Sequence, residues 1–411
     1  MIEYKKLTLS NGLRVLFHKD NTSPIAAFNM LYDVGARDEH KNRTGFAHLF
    51  EHLMFGGSKN IPDFDKALQL AGGNNNAYTS NDVTSYYSSL PAANIESAFW
   101  LDSDRLNELA FSSKSLEVQR NVVVEEFKQT CLNQPYGDVW QLLRPLCYKV
   151  HNYSWSTIGK KIEHIEDASM QEVKSFFYKH YTPSNAILSV AGDLEYNKIV
   201  DLSEKWFGDI DNREAYVRDL AQEPIQNNKR ELWVERKVPN DAIYMAFKMD
   251  ARNGIDYHIS DLISDLLSSG KSSILYKKLV KDKPIFIDIS AYIMGSFDNG
   301  LFVISARPVS GVSLEDSYKI IRNELDIFIS NKVGVRELNK VKNKIISSMV
   351  FQDIKVINKA MNLALYELLG DAENINTEIN RYTSITNDDI QRVSRKILSE
   401  NKCSILYYKA V

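Results

Sequence analysis

One short stretch of the chain carries three side chains able to do chemistry together: His48, Glu51 and His52. On an α-helix, positions three and four apart share a face. The two imidazoles and the carboxylate therefore project together, while Leu49, Phe50, Leu53 and Met54 cover other faces. Two imidazoles one turn apart can close on a single Zn²⁺ at ~2.0–2.1 Å. A catalytic zinc of this kind takes a third protein ligand and keeps its fourth position for water, whose pKa falls towards ~7. Glu51 then stands where it can take the water's proton. The alternative is a buried helix whose histidines are satisfied by ordinary hydrogen bonds. Three polar groups on one face of an otherwise apolar helix weigh against it, because an ionisable Glu is costly to bury without a partner.

The elements that must position these groups follow from periodicity. Alternation predicts strands at Leu7–Leu9 and Leu13–Phe17 joined by an Asn11-Gly12 turn, then a strand at Ile25–Tyr32. The chemical helix is predicted from about Thr44 to Phe55, stopped by Gly56-Gly57. A short helix near Phe64–Ala71 leads into the Gly/Asn-rich Gly72–Asn76, and a strand-like run continues to Pro91. Helices are predicted at Ala93–Glu108, Lys114–Cys131, Val139–Tyr148 and Met170–Phe177, with a strand at Ala186–Ala191. The polar stretch Ala215–Lys229, which carries Pro224, reads as a linker. Beyond it the pattern recurs, with strands at Ala242–Lys248, Ile285–Ile293 and Leu301–Ala306 and helices at Tyr257–Ser268, Leu314–Ile329 and Val335–Phe351.

The recurrence is visible residue by residue. Leu49, Leu53 and Gly57 superpose on Leu262, Leu266 and Gly270 at an offset of 213, and Ile165, Met170 and Val173 match Ile385, Ile390 and Val393 at 220. The expected fold is α+β: two homologous repeat domains, 1–215 and 230–411, each a mostly antiparallel sheet with helices packed on it, facing across a cleft. In the second repeat, the positions of His48, Glu51 and His52 hold Asp261, Ser264 and Asp265. The fold itself therefore does not demand the histidines.

Bulk composition narrows the function classes. Across 411 residues, 50 basic and 53 acidic side chains give a net charge of −3 without long single-sign blocks, which offers no footprint for nucleic acid or a membrane surface. Cys131, Cys147 and Cys403 are odd in number and unrelated in spacing, so neither a disulfide framework nor a cysteine zinc site is expected. No stretch approaches the ~18 apolar residues of a membrane span. The expected compartment is the cytoplasm.

The order H-x-x-E-H reverses the familiar H-E-x-x-H helix and is the inverzincin signature. Its surroundings resemble the pitrilysin/insulinase (M16) family of metallopeptidases: Thr44-Gly45-Phe46-Ala47 before it and Leu53-Met54-Phe55-Gly56-Gly57-Ser58 after it. Further matches are Gly72-Gly73-x-x-Asn76-Ala77-Tyr78-Thr79, Arg120 followed by Val122-Val123-Val124-Glu125-Glu126, Thr157-Ile158-Gly159, Tyr181-x-Pro183-x-Asn185 and Gly192-Asp193. The resemblance spans nearly the whole chain, whose length is similar to family members built from one pair of repeats, such as mitochondrial processing peptidase subunits and their bacterial relatives.

The resemblance implies a zinc-dependent endopeptidase with one Zn²⁺ per chain, acting on peptides or unfolded segments. It places the third ligand six residues after Arg120, at Glu126, with Glu125 the alternative. It makes Gln119, where relatives often carry Glu, a residue that supports a ligand without tuning it as a carboxylate would. It makes Asn76, Ala77 and Tyr78 an edge strand that pairs with substrate backbone. His151, His164 and His180 lack ligand spacing and read as structural or surface residues. Two family groups are missing: Val280 and Ile287 stand where the second repeat commonly supplies an Arg and a Tyr. The implied assembly is a dimer, with a homologous chain providing that pair. A non-catalytic scaffold or peptide-binding subunit is the rival, which the intact H-x-x-E-H argues against.

Overall fold

The computed structural model describes residues 1–213 and 216–411. Two compact units are present. The first comprises Met1–Gln129, Trp155–Leu220 and Val350–Thr377; the second comprises Thr130–Ser154, Ala221–Met349 and Glu378–Val411.

The first unit holds a six-stranded sheet of β1 (Lys5–Thr8), β2 (Arg14–Lys19), β3 (Ile25–Tyr32), β4 (Asn74–Thr79), β5 (Thr84–Pro91) and β6 (Ala186–Gly192). Their order is β1-β2-β6-β3-β5-β4. Only β2 and β6 run parallel; every other neighbouring pair is antiparallel. The β1–β2 hairpin turns at Gly12, whose φ of +89° is open to glycine at little cost. The strand-like run from Gly72 to Pro91 is two strands, not one. Ser80 Oγ accepts from the N–H groups of Asp82 and Val83, at 3.1 and 3.0 Å, and turns the chain between β4 and β5.

The second unit's sheet contains β7 (Arg230–Arg236), β8 (Ala242–Lys248), β9 (Phe286–Met294), β10 (Leu301–Pro308) and β11 (Cys403–Ala410), ordered β7-β11-β8-β10-β9. Again one pair, β7 with β11, is parallel and the rest are antiparallel. This order reproduces β2-β6-β3-β5-β4, so the sheets are mostly antiparallel and carry the same single mixed pair. The repeat holds at residue level too. Leu49, Leu53, Leu262 and Leu266 are all buried, and Gly57 and Gly270 have φ of +101° and +81°.

The units are not consecutive stretches of chain. The helix Val139–Cys147 belongs to the second unit, where Val139, Leu143 and Cys147 pack with Ala242, Ala246, Val303 and Leu406. The helix Val356–Leu368 belongs to the first, where Val356 and Ala360 pack on the small side chains Ala27 and Ala191. These helices begin 217 residues apart, within the spacing of the repeat. Each sheet is thus covered on one face by a helix from the other half of the sequence.

Several elements escape the sequence pattern: the helices Tyr196–Phe207, Val356–Leu368, Asn374–Thr383 and Asn387–Ile397, and the strands β7 and β11. β7 is a charged edge strand with no buried residue, so it lacks the apolar signal that marks β8 or β10. Of the stretch read as a linker, Ala215 lies outside the described residues. Its later part is bound into the second unit. Glu223 accepts from the backbone N–H groups of Lys149, Val150 and His151 and from Lys248 Nζ, and Gln226 donates to the Cys403 carbonyl at 3.0 Å. Cys131, Cys147 and Cys403 are unpaired and buried. Among the described residues, no helix is long and apolar enough to cross a membrane.

Candidate metal centre

The helix Phe46–Leu53 buries Phe46, Ala47, Leu49, Phe50 and Leu53. Phe50 stacks between Phe176 and Tyr181, with ring centroids 5.0 and 5.3 Å away. Tyr86 donates from its hydroxyl to the Phe50 carbonyl at 3.2 Å and meets the Tyr181 hydroxyl at the same distance. These aromatic contacts fix which face of the helix is turned away from the core. That face carries His48, Glu51 and His52, all half-buried.

The helix Ser113–Phe127 packs alongside, started by Ser112, whose Oγ accepts from the Ser115 N–H at 3.0 Å. The two helices meet at Gly56. A Cβ there would crowd Ser115 Oγ, the hydroxyl that donates to the Gly56 carbonyl at 3.2 Å. On this helix Glu126 points at the histidines and Glu125 does not. Glu126 Oε2 lies 3.6 Å from His48 Nε2 and 3.5 Å from His52 Nε2. Glu125 is exposed and pairs with Lys128 Nζ at 2.6 Å.

The arrangement fits a zinc ion. Three ligand atoms, one from each of His48, His52 and Glu126, lie within 4.8 Å of one another. Tetrahedral ligands at ~2.0–2.1 Å from zinc stand about 3.4 Å apart, close to the 3.5 and 3.6 Å seen here. The imidazole rings are nearly perpendicular, at 87°. Protonation states match as well. Burial holds His48 below the ordinary imidazole range, leaving it neutral with a lone pair to give. The neighbouring His52 holds the Glu126 carboxyl below the usual carboxylate range. One feature departs from most zinc sites: His48 Nδ1 is buried without a hydrogen-bond partner, where a ligating histidine ordinarily donates to a carboxylate or carbonyl.

The remaining sequence candidates are placed as follows. Asn76, Ala77 and Tyr78 lie on β4, the edge strand of its sheet, opposite Tyr87, Tyr86 and Ser85 of β5. Asn76 Oδ1 accepts from the Ala77 N–H at 2.8 Å. Gln119 lies two turns before Glu126, about 10 Å along the axis, and lines a 370 Å³ pocket with Phe55, Pro62 and Val118. His164 joins its Nδ1 to the Thr44 hydroxyl at 2.8 Å, His151 lies 3.4 Å from Asp298, and burial pushes His180 down to about 3. Ile287 is exposed on β9 and Val280 is half-buried, both in the second unit. Sequence spacing missed Glu39, which meets the start of the histidine helix, and Trp155, which donates to Glu39. Neither stands at a helical interval from His48, so no local pattern could have flagged them.

Among the described residues, the one three-donor centre lies on the first of two units whose sheets share a strand order. Residues 14–145 match the family model described as Insulinase (Peptidase family M16), and residues 167–345 match the Peptidase M16 inactive domain. The chain belongs to peptidase family M16. It is similar to zinc protease PqqE of Helicobacter pylori, with 27% identity over 99% of this chain and 93% of that one. It is also similar to the uncharacterized zinc protease YmxG of Bacillus subtilis, at 24% over 97% and 96%. A crystal structure of a protease from Helicobacter pylori superposes with a TM-score of 0.94 at 26% identity, covering all of both chains.

Proposed function

We propose that the chain is a zinc-dependent endopeptidase that cleaves peptides or unfolded segments. The observation that carries this reading is the convergence of His48 Nε2, His52 Nε2 and Glu126 Oε2 at the spacing of a tetrahedral site. Zinc bound there would supply a Lewis acid that acidifies water and polarises the scissile carbonyl. The chain's own residues do the rest. His48 and His52 give neutral imidazole nitrogens, and Glu126 gives a charge that lowers the net positive charge of the centre. Glu51, on the same helical face, takes the proton of the attacking water and returns it to the leaving amine. Asn76, Ala77 and Tyr78 offer the free side of β4 to an extended substrate, whose backbone would add as a further strand.

Val280 and Ile287 provide neither the guanidinium nor the phenol expected near the substrate, which supports a dimer with a homologous chain that supplies both. Three unpaired cysteines support a cytoplasmic setting.

The test is digestion of a mixed peptide library, read by mass spectrometry, with and without a zinc chelator. Chelator-sensitive cuts are expected, and Glu51→Gln should lower turnover about 10²–10⁴-fold while zinc and peptide binding persist. Cuts that survive both chelation and Glu51→Gln would sink the reading.

A further inference from the structure

The helix that carries His48 begins in an unusual way. Its N-cap is Gly45, in the left-handed region at φ +90°, so the residue that ordinarily caps a helix through its side chain has none. Nor could one be added. A Cβ at Gly45 would stand 2.8 Å from Ile165 Cδ1 and 3.0 Å from the Ile158 carbonyl. The unpaired N–H groups of the first turn are met instead by Glu39, six residues upstream. Its Oε2 accepts from the Gly45 N–H at 2.9 Å and its Oε1 from the Ala47 N–H at 2.8 Å. The Trp155 indole N–H donates to the same Oε2 at 2.9 Å, and also to the Ala36 carbonyl at 3.1 Å. Glu39 is 3% exposed. Burial pushes the Glu39 carboxyl up to about 8, and the three N–H donors on its two oxygens offset only part of that cost.

His48 is the third residue of this helix and the ligand whose Nδ1 has no partner. Where a second hydrogen bond does not aim a ligating imidazole, the aim comes from the backbone that carries it. The second unit provides a contrast. Asp256 at the N-cap of Tyr257–Ser268 makes no cap bond to the helix and instead pairs with Arg392 and Lys396.

We propose that Glu39 is the positioning residue of the metal centre, holding the first turn of Phe46–Leu53 and thereby the direction of His48. The inference rests on the zinc reading above, and its test has an arm that does not need zinc. Glu39→Gln keeps the side-chain volume but exchanges one accepting oxygen for an NH₂ that cannot accept, so at least one N–H of the first turn is left without a partner.

In the folded Glu39→Gln chain, zinc affinity measured by chelator competition is expected to fall about tenfold. kcat should fall by a similar factor while KM holds, because β4 and the peptide it receives are untouched. In metal-free protein, amide hydrogen exchange should quicken at Ala47, His48 and Leu49 and stay unchanged in the helix Ser113–Phe127. Trp155→Phe, which removes one donor and keeps a ring, should shift exchange and zinc affinity in the same direction by a smaller factor. It serves if Glu39→Gln does not fold. Unchanged exchange and unchanged zinc affinity in the folded variants would overturn the proposal. A wild-type chain that binds no zinc would overturn the function proposed above, while the exchange arm still decides whether Glu39 holds the helix.

Discussion

The helices Phe46–Leu53 and Tyr257–Ser268 follow corresponding strands of two sheets with the same order, yet they treat their polar positions in opposite ways. In the first unit, His48 and His52 converge with Glu126 on one point. In the second, the matching positions are carboxylates, and each is met by the protein. Asp261 accepts from the Tyr382 hydroxyl at 2.7 Å, and Asp265 lies 3.6 Å from Lys344 Nζ. Burial pushes Asp261 above the usual carboxylate range. Leu49, Leu53 and Gly57 recur as Leu262, Leu266 and Gly270 in the second unit. What the pair teaches is that the repeat needs only the apolar face. The polar face is free to gather three donor side chains in one unit and to make structural hydrogen bonds in the other.

If that division holds, damage to the polar face should cost metal in the first unit and stability in the second. The largest effect is expected from Glu126→Ala, which should weaken zinc binding by at least about 10²-fold, read as zinc per chain after dialysis. Glu125→Ala should retain full zinc, and the reverse result would break the assignment of the third ligand. Next comes Tyr382→Phe, which leaves the half-buried Asp261 carboxyl short of its donor. Urea denaturation should show a loss of about 1–3 kcal/mol, with zinc content and turnover as in wild type. A fall in zinc content instead would mean that the two polar faces are not independent.

The smallest effect concerns Glu223, which ties the 149–151 segment into the second unit. Burial alone would raise its carboxyl, but the N–H groups of Val150, Lys149 and His151 and the Lys248 ammonium bring it down to about 2 from 4.5. A folded-state value below the unfolded one means stability that is present above pH 4.5 and lost as pH falls through about 2. Thermal melts of wild type should therefore decline across that window, and Glu223→Gln should flatten part of the decline. Identical pH profiles would remove Glu223 from the account.

The candidate site of the first unit was legible because it is local. A spacing of three and four residues settles which side chains share a helical face before any tertiary contact forms. The repeat was legible for a related reason, since leucines and a glycine at a constant offset are a linear property. The β4–β5 turn at Ser80 was not, because the polar run around it reads as one strand until the hydroxyl's two backbone partners are seen. β7 and β11 were missed for opposite reasons. One is an edge strand with charged side chains and little burial, and the other is a run buried on both faces over Cys403–Tyr408, which alternation does not mark.

By itself, then, the order of residues determined the helix, its three chemical groups, and the family to which they point. Tertiary structure decided what linear distance cannot encode. Glu126 and Glu125 are adjacent in sequence, and only the packing of Ser113–Phe127 against Gly56 turns one towards the histidines and the other towards solvent. The exchange of Val139–Cys147 and Val356–Leu368 between units, and the reach of Glu39 to the N–H groups of Gly45 and Ala47, are likewise contacts between segments that no periodicity links. They exist because a sheet face and a helix end must each be covered, and the chain meets both needs with whatever segment the fold brings near.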